Sequence, residues 1–178
     1  HDPQVDSCAP CHSRRTPVHG NFEGGDNYLN YYEPSLIRSG LYHADGQIHD
    51  EVYVYGSFLQ SKMYQEGVRC SDCHDPHSLK LKYEDNRLCT QCQQPGKYDG
   101  FAHHRHKDEL ATKCVTCHMP ASLFMVIDDR RDHSMRVPRP DLTEKLGVPN
   151  VCNDCHTKPG EDAAWAAGIV REWYGDTG

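Results

Sequence analysis

The sequence contains no apolar stretch that matters to a bilayer. Its longest run, Leu123–Ile127, is five residues, against the roughly 20 that a spanning helix needs. Apolar residues are scarce throughout: they form 37% of the 178 residues, and mean hydropathy is −0.81. That is thin for one domain held together by side-chain burial alone. Positive charge is short as well, with 19 Lys and Arg against 26 Asp and Glu and a formal charge of −7. The balance excludes the basic face that nucleic acid selects. No phosphate-cradling loop and no hydrolytic triad pattern is present. Unpaired cysteine is lacking too.

All ten cysteines fall into Cys-x-x-Cys pairs. Four pairs are followed directly by histidine: Cys8/Cys11/His12, Cys70/Cys73/His74, Cys114/Cys117/His118 and Cys152/Cys155/His156. This pentapeptide is the attachment site of a c-type haem. Two thiols three residues apart reach the two vinyl groups on one porphyrin edge, and the next residue sets an imidazole beneath the iron. The fifth pair, Cys89/Cys92, is followed by Gln93. Four haems c are therefore expected, with a fifth at Cys89/Cys92. Large apolar porphyrins would supply the interior that the side chains lack. The expected fold is mainly α with extensive loops and little β, a single multihaem cytochrome c domain over residues 1–178.

Local patterns give a few helices. Asp50 to about Glu66 has apolar residues at Val52, Tyr55, Leu59 and Met63, with Gly67 as a stop. Residues 13–50 read as loop with a short helix at Pro34–Ser39. A short helix is expected at Asp141–Leu146, closed by Gly147. The clearest spans Asp162 to Tyr174, where Trp165, Ile169 and Trp173 form one stripe expected to pack on the last haem. The first cysteines lie 62, 19, 25 and 38 residues apart, so no solenoid repeat orders the sites.

Thirteen histidines are more than packing requires. Beyond the four proximal ones stand His1, His19, His43, His49, His77, His103, His104, His106 and His133. Bis-imidazole irons would draw their second ligands from this pool. Methionine ligation, which raises the potential, has only Met63, Met119, Met125 and Met135 to use and is the lesser reading. His77 is too close to His74 to cap the same iron and would serve a neighbour. One or two of His103, His104 and His106 should be ligands, and His43 and His133 stand alone in loop-like segments. His1 and His49 have the weakest claims. Zinc competes at Cys70-x2-Cys73-x15-Cys89-x2-Cys92, a four-thiol spacing. A disulfide at Cys89/Cys92 is the other alternative.

The segments between the motifs resemble a known family. Leu41-Tyr42-His43-Ala44-Asp45-Gly46-Gln47, the run from Asp50-Glu51-Val52-Tyr53 through Ser61-Lys62-Met63-Tyr64, and Asp132-His133-Ser134-Met135-Arg136-Val137-Pro138-Arg139-Pro140-Asp141 look like the cytochrome module of large bacterial multihaem c-type cytochromes that often carry tetratricopeptide repeats. The resemblance covers roughly Cys8 to Tyr174. It implies distal ligation by His19, His43, His77, His104 and His133, with His103 and His106 ranked behind them. It also implies a histidine where this chain has Gln93. Relatives are longer, so the chain reads as a processed form, a fragment or a stripped-down member.

The expected activity is electron transfer in respiratory or extracellular transport, with redox proteins or further copies of the chain as partners, in a filament or as a discrete relay. Haem attachment outside the cytoplasm implies a periplasmic or extracellular protein whose leader has been removed. The alternative is a redox enzyme of the nitrite or hydroxylamine type, with an open iron at Cys89/Cys92 and His103, His104, His106, Arg105 or Lys107 as proton donors.

Overall fold

The computed structural model describes residues 1–176. The chain opens on α1 (Pro3–His12), started by Asp2, whose carboxylate accepts the Val5 N–H at 3.1 Å, and by Pro3, whose missing N–H costs nothing in the first turn. Buried Val5 and Ala9 press this helix on Tyr28, which is wholly buried. The Tyr28 hydroxyl shares a 2.7 Å hydrogen bond with Ser13, and its backbone N–H reaches the Asp6 carboxylate. Strands β1 (Arg15–Pro17) and β2 (Tyr32–Pro34) then pair antiparallel. The segment expected to be loop thus contains a hairpin, and the expected helix at Pro34–Ser39 is absent because Pro34 is committed to β2.

The helix expected from Asp50 to Glu66 is two shorter ones, α2 (Tyr55–Gln60) and α3 (Lys62–Gln65). Ser61 divides them. Its backbone is extended, and its hydroxyl accepts from Tyr64 N–H while donating to the Phe58 carbonyl. It caps one helix and closes the other. Residues 50–54 stay outside because Tyr53 is left-handed and Asp50 pairs with Arg14 in place of capping.

Next come α4 (Cys70–Cys73), the hairpin of β3 (His74–Asp75) and β4 (Lys80–Leu81), α5 (Arg87–Thr90), α6 (Pro95–Tyr98), α7 (Phe101–His104) and α8 (Cys114–His118). A further hairpin, β5 (Ala121–Phe124) with β6 (Asp128–Arg131), takes up the longest apolar run. Helix α9 (Pro140–Leu146) ends as expected on Gly147, which adopts φ 70° and so tolerates the left-handed stop. A 3-10 turn, Val151–Asp154, carries Cys152, and α10 (Ala163–Tyr174) starts on Asp162, which accepts from Trp165 N–H. Helices α9 and α10 pack together.

About 38% of the chain is helical and the strands form three short hairpins. The fold is mixed and dominated by loops, less helical than expected. Side-chain burial is meagre: Leu41, Tyr42 and Val52, with Ile48 against them, make a small cluster. Among the described residues no helix is long and apolar enough to cross a membrane.

Candidate haem sites

Every histidine-bearing motif is presented on helix or a helical turn, and the turns share one local geometry. The residue after the second cysteine donates its N–H to the carbonyl of the first cysteine: His74 to Cys70, His156 to Cys152 at 2.9 Å, and Gln93 to Cys89 at 3.1 Å. All ten thiols are free. Burial, the largest cause in each case, pushes Cys70 up to about 12 and raises Cys73, Cys117 and Cys152. Neutral thiols in apolar surroundings suit a vinyl group better than a cation. Among the described residues no three His, Cys, Asp or Glu side chains converge on a metal cage, so Cys70, Cys73, Cys89 and Cys92 do not gather as a zinc site would require.

The ten thiols do not share one environment, as equivalent thioether sites would suggest. Cys11, Cys92 and Cys155, each the second cysteine of its pair, are exposed, and the other seven are half-buried. Helix α1 buries Val5, Asp6, Ala9 and Pro10, and a turn of about 100° per residue carries Cys11 off that face, together with the exposed His12. The first motif therefore presents its second thiol and its imidazole to the same open side of α1.

The imidazoles do come together, in pairs. His74 and His133 have ring centres 6.3 Å apart with planes 21° from parallel. His118 and His103 stand 6.0 Å apart at 10°, and His156 and His106 6.0 Å apart at 54°. A ligating imidazole nitrogen sits about 2 Å from its metal and the ring centre about 1.1 Å further back, so two rings gripping one metal from opposite faces have centres about 6.2 Å apart. All three pairs match. A porphyrin supplies four in-plane nitrogens, so two protein ligands complete such an iron.

Hydrogen bonds aim the rings. The Nδ1–H of His118 donates to the Arg136 carbonyl at 2.7 Å, that of His133 to the Arg131 carbonyl at 2.9 Å, and that of His106 to the His104 carbonyl. Each leaves Nε2 as the nitrogen without that proton. Burial lowers the pKa of His74, His103 and His133, which favours their neutral form. Arg136 is itself fixed by Asp45, Gln60 and Ser134. The close approach of Gln60 and Arg136 leaves no room for a Cβ at residue 46, which is glycine at φ 88°. Gln47 ties the same loop to the Pro149 carbonyl.

Helix α10 closes over two of the pairs. Trp165 lies 5.0 Å from the His156 ring and Trp173 6.4 Å from His106. The Tyr174 hydroxyl donates to the His103 carbonyl. The Trp165–Trp173 stripe thus faces the last site, as its spacing suggested.

The distal candidates divide. His133 faces His74. His103 and His106, ranked behind His104, face proximal rings, whereas the His104 Nδ1 accepts the His106 backbone N–H at 3.2 Å. The cause is local: α7 turns successive side chains by about 100°, and Arg105 at φ 57° ends it in the left-handed region and re-aims His106. His19 is exposed in the β1–β2 connection and His77 in the β3–β4 turn. The His43 ring lies 4.4 Å from His49, too close for a metal between them.

The motif-bearing turns are neighbours in sequence order. Gln4 and Ser71 exchange two hydrogen bonds, at 2.8 and 3.2 Å, between the first and second turns, and the Cys8 and Cys70 thiols act directly on each other. Gln91 donates to the Asp72 carbonyl, and Cys92 lies near Cys73. Asn86 binds Cys114 N–H, and Cys89 lies against Cys114. Cys117 is near Cys152 and Cys155.

This is a cytochrome-like fold. The chain superposes on the crystal structure of outer cell wall cytochrome OcwA with a TM-score of 0.64 and 18% identity, covering 93% of this chain and 51% of that one. It therefore spans about half the length of that cytochrome. No family model matches the chain, and no curated protein does.

Proposed function

We propose that the chain is an electron-transfer protein carrying four or five covalently attached haems c, mostly bis-histidine ligated, that passes single electrons along a closely packed row. The observation that carries this reading is the set of three imidazole pairs at 6.0–6.3 Å, each joining the histidine of a Cys-x-x-Cys-His motif to one remote in sequence. In this reading His133, His103 and His106 are the distal ligands of the His74, His118 and His156 irons. The iron on His12 would take its second ligand from His19, His43 or His77, with Cys8 and Cys11 anchoring its porphyrin. Two imidazoles per iron suit electron transfer, because neither oxidation state gains or loses a ligand. The haems also complete an interior in which few side chains are buried.

The partners are redox proteins or further copies of the chain, and the protein works outside the cytoplasm, in the periplasm or at the cell exterior. The likeness to an outer cell wall cytochrome supports that location. A pyridine haemochrome assay with intact mass gives the haem count. Low-temperature EPR of His133→Gly, His103→Gly and His106→Gly should each show one low-spin iron converted to high spin, with His104→Gly unchanged. A colourless protein, or one in which His104→Gly alone changes the spectrum, would refute the reading.

A further inference from the structure

The middle turn, Cys89 to Gln93, differs from its neighbours in one side chain and occupies the one place where that difference would count. Its backbone repeats theirs: the Gln93 N–H bonds the Cys89 carbonyl as His156 bonds Cys152. Gln93 thus stands where the other turns place their imidazole. An amide nitrogen has no lone pair to give, and an amide oxygen is a hard, neutral donor that binds iron weakly beside imidazole.

Position makes this consequential. Gln91 ties the middle turn to the second through the Asp72 carbonyl at 3.2 Å, and Cys92 lies near Cys73. Asn86 ties it to the fourth through Cys114 N–H at 2.8 Å, and Cys89 lies against Cys114. The first turn is clasped to the second by Gln4 and Ser71, and the fourth lies beside the fifth through Cys117. The five turns form a row whose centre is Cys89/Cys92.

Building on the electron-transfer reading, we propose that the Cys89/Cys92 haem bridges two outer pairs, and that its iron, without an imidazole from its own turn, is the site where a small anion or diatomic molecule binds and interrupts the row. A haem held there would take up an electron as one neighbour is oxidised, and an anion that prefers its oxidised form would make that uptake less favourable. For one electron, about 59 mV of displacement is tenfold in the equilibrium constant.

The test uses cyanide on the oxidised holoprotein. Wild type should carry five haems, one of them high-spin, and bind cyanide there. In a redox titration, adding cyanide should lower the potential of that haem by about 59 mV or more, a tenfold shift in its equilibrium constant. Cys89→Ser/Cys92→Ser should lose one haem and one cyanide equivalent. Because that variant risks misfolding, Gln93→His is the second probe: its imidazole should shift or abolish the high-spin EPR signal and change cyanide affinity. Four haems in wild type would overturn the proposal and leave electron transfer standing. So would five low-spin haems blind to cyanide, full cyanide binding by the double variant, or a Gln93→His spectrum identical to wild type. Absence of haem altogether would overturn the electron-transfer reading itself.

Discussion

Asn86 precedes α5 and would pass for an ordinary N-cap, yet its side chain caps a different helix. Its Oδ1 accepts the N–H of Cys114, the first residue of α8, at 2.8 Å. Its amide donates to the Asp99 carboxylate at 2.6 Å and to the Thr112 carbonyl at 2.9 Å. Asn86→Ala removes all three and leaves an orphan donor at the start of α8. The two half-buried bonds contribute about 1 kcal/mol each, and the exposed one to a carboxylate about 0.5 after solvent screening, a loss of about 2–3 kcal/mol. In urea this moves the unfolding midpoint of the holoprotein down by about 1 M. The assay is urea titration followed in the Soret band. Asn86→Asp should not rescue stability at neutral pH, because it restores the acceptor for Cys114 but sets a second carboxylate against Asp99. A midpoint for Asn86→Ala within about 0.2 M of the parent would show that the bridge between α5 and α8 is not held by this side chain.

Trp165→Ala uncovers the His156 ring and should cost about 2 kcal/mol, less than a fully buried tryptophan, with a change in the absorbance of the haem on that ring; thermal melts and difference spectra check it. The Arg139 fork holds Asp141 down at about 2 against an ordinary 3.8. A depressed carboxyl stabilises the fold above its unfolded pKa and loses that contribution as pH falls through its folded pKa, so the effect fades between about pH 4 and 2. The pair is partly solvated and contributes about 1 kcal/mol, and Asp141→Asn should show a matching loss at pH 6 and only a small remainder of it at pH 2 in urea titrations. Chain made without haem attachment should show little helix by far-UV circular dichroism, since the buried apolar side chains are few.

The Cys-x-x-Cys motifs were legible because their spacing is local. Their unequal shelter was not: spacing treats Cys8 and Cys11 alike, and Cys11 lies off the face that α1 buries. Helices α9 and α10 and the stop of α9 at Gly147 were legible too, where local signals and apolar periodicity agree with the final structure. The Asp50–Glu66 region misleads because a buried serine breaks a period that its apolar residues otherwise keep. Histidine pairing is illegible for a different reason. His74 and His133 are 59 residues apart, and which member of the His103–His106 cluster points inward depends on a left-handed arginine that no local rule assigns. The resemblance to longer cytochromes pointed to His104, one residue from the ring that faces His118.

The three imidazole pairs differ in one respect that bears on conduction. Two are nearly coplanar, at 10° and 21°, and the pair of His156 and His106 is crossed at 54°. Coplanar rings donate π density into the same iron d orbital and lift it clear of its twin, whereas crossed rings feed both and leave them close in energy. If these pairs hold irons as proposed, the last would have the more axial magnetic ground state, with its unpaired electron shared more evenly around the macrocycle. At the other two, spin density would lean along one diagonal of the ring, so backbone carbonyls that orient a histidine would also choose the porphyrin edge from which an electron departs.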